Sequence, residues 1–457
     1  MKKQHCEDKN FINARHIHMI GIGGSGMCPI AELLLSRGYE ITGSDKNDNA
    51  NVKRLKSLGV TVYNEHIADN IKGADLVAYS AAVPETNPEM IAAATSGIPQ
   101  MERSQLLGAI TRCYDNVIGV SGTHGKTTVS SMITQILLIN KQNPNAVIGG
   151  KLPMVNSSCV VGNSQTLVCE SCEFVDSFLQ FSPDITVLLN IDNDHMDYFK
   201  NMENLKNSFR KFVSMGKLCY ANGDDACVKD VVADINSKVV TYGFDDKNDY
   251  YPQNIVAGKY GFCFDVVCRG KTVGHLEMHA PGKHNIYNGL VSFAVCYELG
   301  VEPSGIADAV ARFTGAGRRF EFIGESKGIT VVDDYAHHPT EMLATLRAAK
   351  TLDYKKVIVV FQPYTYSRVA LLRDGMINAL TVADKVFMTP IVAAREENVY
   401  GVKSEDITEK LPDAQVIADY DELAEKMIAC AESGDIIITM GAGDIFKVAH
   451  KILEKLG

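Results

Sequence analysis

Residues 16–27 read HIHMIGIGGSGM, an apolar run that breaks into a glycine turn and then into a helix-forming segment. The run predicts a strand over 16–22 and a helix over 26–37. A second strand follows at 40–44 and a later one at 74–78. Alternating strands and helices predict a parallel sheet with the helices packed on its faces. Gly21, Gly23 and Gly26 match G-x-G-x-x-G at the strand–helix junction. Such glycines let a diphosphate approach the backbone, and the helix N-terminus favours its negative charge. Asp45 ends the next strand, where an acid commonly meets ribose hydroxyls. An NAD(P) dehydrogenase is the simplest reading. Any nucleotide diphosphate, or a tight turn with no ligand, satisfies the same pattern.

Downstream, a strand at 116–120 opens a second sheet, followed by a glycine turn and a helix over 126–139. Strands at 167–170 and 185–190 belong with it. Residues 254–278 alternate strands with turn signals at Gly261 and Gly270, which predicts a small antiparallel part. A helix over 285–299 closes this region, and 313–319 reads as a linker. The α/β rhythm then resumes with strands at 330–333, 357–361, 385–388 and 435–439. The chain therefore predicts an α/β protein of three domains. These are a Rossmann-like domain over 1–113, a central ATPase-like parallel-sheet domain over 114–313, and a C-terminal Rossmann-like domain over 314–457.

The second glycine turn is Gly122-Thr123-His124-Gly125-Lys126-Thr127-Thr128. Its amides suit the β- and γ-phosphates of ATP, Lys126 supplies a point charge, and the Thr127 hydroxyl can ligate Mg²⁺. A strict Walker A needs glycine at position 120, which is Val120, so this is a variant phosphate loop. Val168-Cys169-Glu170-Ser171-Cys172-Glu173 ends one strand of that sheet, and Asn190-Ile-Asp192-Asn-Asp194-His195-Met-Asp197 ends the next. Parallel neighbours bring both ends to the sheet edge that carries the phosphate loop. A carboxylate and an imidazole there can hold Mg²⁺ between ATP and a second substrate. Histidine is an uncommon magnesium ligand, so a helix-cap role for His195 stands beside that one, as capping does for Asp194 and Asp197. Cys169 and Cys172 form a C-x-x-C, but no second pair with zinc spacing follows.

Composition bounds the rest. At 457 residues the chain exceeds one hydrophobic core. A net charge of -10 argues against nucleic-acid binding, which wants a basic face. No apolar run is long enough to span a membrane, and the first fifteen residues, MKKQHCEDKNFINAR, have no apolar signal segment. Twelve scattered cysteines read as reduced thiols of a cytoplasmic protein.

Nine motifs then occur in an order that resembles the Mur ligases: GIGGSGM at 21–27, SAAVP at 80–84, GTHGKTT at 122–128, NDHMDYF at 193–199, GKHNIYN at 282–288, GAGRRFE at 315–321, DDYAHHPTE at 333–341, FQPYTYSR at 361–368 and GAGDI at 441–445. The opening glycine motif and DDYAHHPTE resemble the alanine-adding branch. The resemblance implies an ADP-forming ligation of L-alanine to the lactyl carboxylate of UDP-N-acetylmuramate through an acyl phosphate, a step of peptidoglycan precursor synthesis. It also implies site residues. Gly23, Gly24 and Ser25 would meet the UDP diphosphate, and Ser44, Asp45 and Ser80 would line the nucleotide. ATP would bind through Gly122–Thr128, with Asn285 and Asn288 at adenine, Asp334 at ribose and Arg319 at the γ-phosphate. Thr127, Glu170 and His195 would hold Mg²⁺. His337 or His338 would stand near the reacting groups, and Arg368 would clamp the alanine carboxylate.

The sequence departs from the family at Tyr364, where histidine is usual, at Arg103-Ser-Gln105, and at Ser171 in place of alanine. Phe209-Arg210-Lys211 matches poorly the siblings that carry a carbamylated lysine. Further readings are a recycling ligase that adds a preformed peptide, an NAD-dependent oxidoreductase, and a non-catalytic nucleotide-binding partner. The oxidoreductase leaves the second glycine turn without a role. A monomer or homodimer is expected, with the third domain closing over ATP.

Overall fold

The computed structural model describes residues 8–258, 261–394 and 396–457. They form two compact units. The first comprises the described residues of 1–251, 267–273 and 290–309, and the second those of 252–266, 274–289 and 310–457.

The first unit opens with a five-stranded parallel sheet in the order Thr61–Tyr63, Glu40–Ser44, His16–Ile20, Leu76–Tyr79, Gln100–Glu102. The order reverses at His16–Ile20, the place where doubly wound sheets bind ligands. That strand stops two residues short of the expected 22. Gly21 turns to φ 74°, and the amides of Gly21 and Ile22 both reach the Ser44 carbonyl, at 2.8 and 3.1 Å. The helix Cys28–Ser36 follows, burying Ile30, Ala31, Leu33 and Leu34. Pro29 sits in its first turn, where a missing N–H costs nothing.

A second sheet in this unit runs Lys238–Tyr242, Leu218–Asn222, Ile185–Leu188, Asn116–Ser121, Thr166–Glu170, Asn145–Leu152, Ser157–Val160. Only the last strand is antiparallel to its neighbour. Asn116–Ser121 lies between Ile185–Leu188 and Thr166–Glu170, so the phosphate loop emerges between the two strands that carry the acid and histidine motifs. The helix Lys126–Ile139 starts and stops where the sequence places it.

Tyr250–Ala257, Phe262–Cys268 and Lys271–Met278 follow one another in sheet order, with residues divided between the units. Arg269 and Gly270, at φ 47° and 80°, make the two-residue turn between the last two strands. A connection that short joins antiparallel neighbours, as the turn signal at Gly270 predicts.

The second unit holds a six-stranded sheet in the order Glu321–Ser326, Ile329–Asp334, Ile436–Met440, Val357–Phe361, Lys385–Met388, Gln415–Val416. The first pair is antiparallel and the rest parallel. Its inner strands are apolar on both faces. Val332, Val359 and Ile438 pack with Met342 and Leu346 on one side, while Val331, Val360 and Ile437 pack with Val448 and Ile452 on the other. Each such side chain stabilises the fold by roughly 1.5–3 kcal/mol on burial. The molecule is thus α/β with three mostly parallel sheets, as the sequence predicts. Among the described residues no helix is long and apolar enough to cross a membrane.

Candidate active site

The first glycine turn is held from the neighbouring strand end. Asp45 accepts the Gly23 amide at 2.9 Å and the Asn47 amide at 2.9 Å. Asn49 and Asn51 donate to the Gly23 carbonyl at 3.2 and 3.0 Å. A Cβ on Gly23 would come within 2.6 Å of Val52 and 2.9 Å of Asp45, so a side chain there would force these neighbours to shift. Asp45, expected at ribose, therefore also shapes the turn itself.

Beneath Ser44 lies a buried polar cluster. The Ser44 hydroxyl donates to Glu89 at 2.7 Å, and Asn70 does so at 2.6 Å. His66 and His18 approach the same carboxylate at 2.8 and 3.4 Å. Burial pushes the Glu89 carboxyl upward, but these four partners outweigh it and hold the group at about 2.

In the second glycine turn, Gly122 takes φ 138° and Gly125 φ 86°, and the helix starts at Lys126. The first-turn amides have no helical partner and face the loop, as an anion site requires. The loop is stapled to the end of the adjacent strand. The Thr123 amide donates to the Asn190 carbonyl at 3.0 Å, and the His124 amide to the Asn190 side chain at 2.8 Å. Asp192 meets the Thr123 hydroxyl through its amide at 2.9 Å and the His124 ring through its carboxylate at 3.0 Å. The backbone amides of Thr123 and His124 are thereby committed to loop shape. Lys126 donates to the carbonyls of Gly122 and Thr123 and to Glu173, at 2.5, 3.0 and 2.9 Å. Burial disfavours its charge, yet the Glu173 carboxylate outweighs that and raises its pKa above the ordinary lysine value.

Thr127 is buried in the first helical turn. Glu170 ends its strand with one carboxylate oxygen accepting the Gly149 amide at 2.8 Å. His195 precedes the short helix Met196–Phe199 at φ 56° and caps no amide with its ring. The ring lies 3.7 Å from the Asp194 carboxylate and 4.6 Å, centroid to centroid, from Phe174. Burial pushes the Cys169 and Cys172 thiols up to about 12 and about 11, so neither is a thiolate near neutral pH.

In the second unit, the adjacent arginines divide their work. Arg318 donates to Asp333 at 2.8 Å and to the carbonyls of Gly443 and Gly441 at 2.8 and 2.7 Å. It ties the strand end to the GAGDI loop and is structural. Arg319 lies 3.6 Å from Glu341 and over the Tyr335 ring. Asp334 is buried and accepts the amides of Phe320 and Ala336 at 2.9 and 2.7 Å. Burial raises its carboxyl to about 6 despite the opposing pull of Arg319. His337 Nδ1 lies 3.0 Å from the Tyr335 carbonyl, and His338 Nδ1 accepts the Thr340 amide at 3.3 Å, capping Pro339–Lys350. Asn285 donates to the Pro281 carbonyl at 2.7 Å and accepts from Asn288 at 3.0 Å. Arg368 lies in the first turn of Tyr366–Leu380.

Glu173, Asn190, Asp192, Gly149 and Glu89 were not singled out as site residues from the sequence. Glu173, Asn190 and Asp192 lie inside motifs quoted for their neighbours. Gly149 and Glu89 carry no local signal.

Two nucleotide-type glycine turns on separate parallel sheets, one with a paired lysine, define a phosphate-handling protein of several domains. The chain belongs to the Mur ligase family. The model of the family's catalytic domain matches residues 16–114, that of the Mur ligase middle domain 120–296, and that of the Mur ligase glutamate ligase domain 318–443. It is 43% identical over 445 residues to the UDP-N-acetylmuramate--L-alanine ligase of Caldicellulosiruptor saccharolyticus, covering 96% of this chain and 98% of that one. Among solved structures it is similar to the UDP-N-acetylmuramate-alanine ligase MurC of Thermotoga maritima, with TM-score 0.83, 27% identity, and 96% and 98% of the two chains covered. The murein peptide ligase mpl of Psychrobacter arcticus gives TM-score 0.75 and 25% identity, with 97% and 99% covered.

Proposed function

We propose that this chain joins L-alanine to the lactyl carboxylate of UDP-N-acetylmuramate, converting ATP to ADP and phosphate in peptidoglycan precursor synthesis. The near-full-length likeness to alanine-adding ligases carries this reading. The recycling ligase, which shares the first substrate, has the weaker structural likeness. We assign residues 1–113 to UDP-sugar, 114–313 to ATP and 314–457 to the amino acid, in a cytoplasmic monomer or homodimer.

A carboxylate does not react with an amine near neutral pH, because its oxygen is a poor leaving group. Phosphorylation by ATP converts that oxygen to phosphate. Gly125, Lys126, Thr127 and Thr128 cradle the β- and γ-phosphates through first-turn amides and the lysine charge. Gly23, Gly24 and Ser25 take the UDP diphosphate, with Ser44, Asp45 and Ser80 along the nucleotide. Asn285 and Asn288 read adenine, Asp334 the ribose, and Arg319 balances charge on the transferring group. Thr127, Glu170 and His195 would hold Mg²⁺. Two of the three donors are hard oxygens, and Gly149 engages only one oxygen of Glu170, so the set fits such a cation. Bound there, Mg²⁺ would neutralise phosphate charge.

Arg368 holds the alanine carboxylate. The two histidines differ in tautomer. The Tyr335 carbonyl can only accept, so Nδ1 of His337 carries a proton, and in the neutral ring Nε2 is then the base able to take a proton from the alanine ammonium. His338 has the opposite arrangement, since Nδ1 accepts from Thr340, and its neutral Nε2 is a donor. The freed amine attacks the acyl phosphate, and phosphate leaves through a tetrahedral intermediate.

The test is phosphate release from Mg·ATP with UDP-N-acetylmuramate and, separately, L-alanine, glycine, L-serine or a tripeptide. Release that requires both UDP-sugar and L-alanine is expected. Release with the tripeptide alone would reassign the chain to recycling, and none with any pair would reject the ligase reading.

A further inference from the structure

The ammonium of Lys126 has three N–H donors, and the structure gives it three acceptor groups: the Gly122 carbonyl, the Thr123 carbonyl and the Glu173 carboxylate. Both ends of the ion pair are nearly withdrawn from water, with 12% of the lysine side chain and 2% of the glutamate exposed. Both glutamate oxygens lie within reach of the ammonium, at 3.2 and 2.9 Å. Lys126 is therefore folded back on its own loop, with its charge neutralised inside the protein. A lysine so engaged has no donor left for a phosphate oxygen.

We propose that Glu173 is a placeholder for the nucleotide phosphates, holding the Lys126 ammonium in the ATP-free enzyme and releasing it when the β- and γ-phosphates arrive. This assignment rests on the ATP reading above and adds a positioning residue to it. The two carbonyl contacts tether the lysine to the loop, so the exchange requires only that one carboxylate give way to another anion. The placeholder keeps a buried cation compensated, since an unpaired charge in this position would be strongly unfavourable. It also weakens nucleotide binding, because the phosphates must displace an anion already in contact.

Glu173→Gln keeps the size and one acceptor oxygen but removes the charge. ADP binding by calorimetry on the full chain is expected to tighten about tenfold, both with magnesium and in EDTA. In a Lys126→Met background the same substitution should leave the ADP Kd unchanged, because there is no ammonium to release. Glu173→Ala should shift Kd in the same direction as Glu173→Gln, which keeps the test open if one variant folds poorly by thermal melting. Unchanged or weaker ADP binding in both single variants would overturn the placeholder. Equal tightening in the Lys126→Met background would make Glu173 a merely repulsive charge, and tightening only with magnesium would move its action to the metal; either overturns it. Failure of the unsubstituted protein to bind ADP would instead sink the ATP reading beneath it.

Discussion

Two buried carboxyls respond to pH in opposite senses. Glu89 is held at about 2 by His18, Ser44, Asn70 and His66 against the effect of burial. Its folded pKa lies below the unfolded value of 4.5, so its stabilisation is present above pH 4.5 and lost as pH falls towards 2. The effect is about 3 kcal/mol, and Glu89→Gln should lower stability at pH 7 by a similar amount in urea melts. Asp334 is raised from 3.8 to about 6, chiefly by burial. The folded state then binds the proton more tightly, so stability is full below pH 4 and declines as pH rises through 6. Asp334→Asn should remove about 3 kcal/mol of pH-dependence across that window, read as a flatter profile of unfolding free energy. The arginine pair teaches a similar lesson about position. Adjacent in sequence, Arg318 ties Asp333 to the Gly441–Gly443 loop while Arg319 faces Glu341 and Tyr335.

Among the elements, the strand Asn145–Leu152 acts on the site through a residue with no side chain. The Gly149 amide fixes Glu170 on the strand paired beside it, and a Cβ at Gly149 would lie 2.5 Å from both Glu170 oxygens. No Cβ is tolerated that close, so Gly149→Ala must displace the carboxylate or the strand. A displacement of about 1 Å at the group proposed to hold Mg²⁺ costs on the order of 100-fold in turnover. The expected outcome is that loss, together with a raised magnesium requirement in the phosphate-release assay. An unchanged magnesium requirement would mean that Glu170 does not serve the cation. The loop-and-helix element after Asn116–Ser121 is instead fixed by contacts from Asn190 and Asp192, which end the neighbouring chain segment.

At the scale of the molecule, the phosphate loop belongs to the first compact unit, and the second unit has cores on both faces of its own sheet. Chemical denaturation should therefore show more than one transition. ADP should stabilise the folded protein by mass action, by about 2.7 kcal/mol at 100 times Kd. A single transition would mean that the units unfold as one. Removal of magnesium by EDTA should abolish phosphate release and leave the denaturation profile without nucleotide unchanged, since the cation is assigned to catalysis and not to the fold.

The sequence by itself determined the α/β class, the strand–turn–helix frames around Gly21 and Gly122, and the helix Lys126–Ile139. These signals are contiguous: apolar runs set the strands, and glycines mark where the backbone must take a left-handed turn, as Gly21 and Gly125 do. It did not disclose Leu218–Asn222, Lys238–Tyr242 or Asn145–Leu152, strands whose place depends on neighbours distant in the chain. Tertiary structure alone decided that Lys126 is paired with Glu173, that Gly149 holds Glu170, and that Glu89 gathers two histidines beneath Ser44. Hydrogen bonds and charge pairs form between groups that the sheet order brings together, and that order is fixed by burial of the whole fold rather than by spacing along the chain.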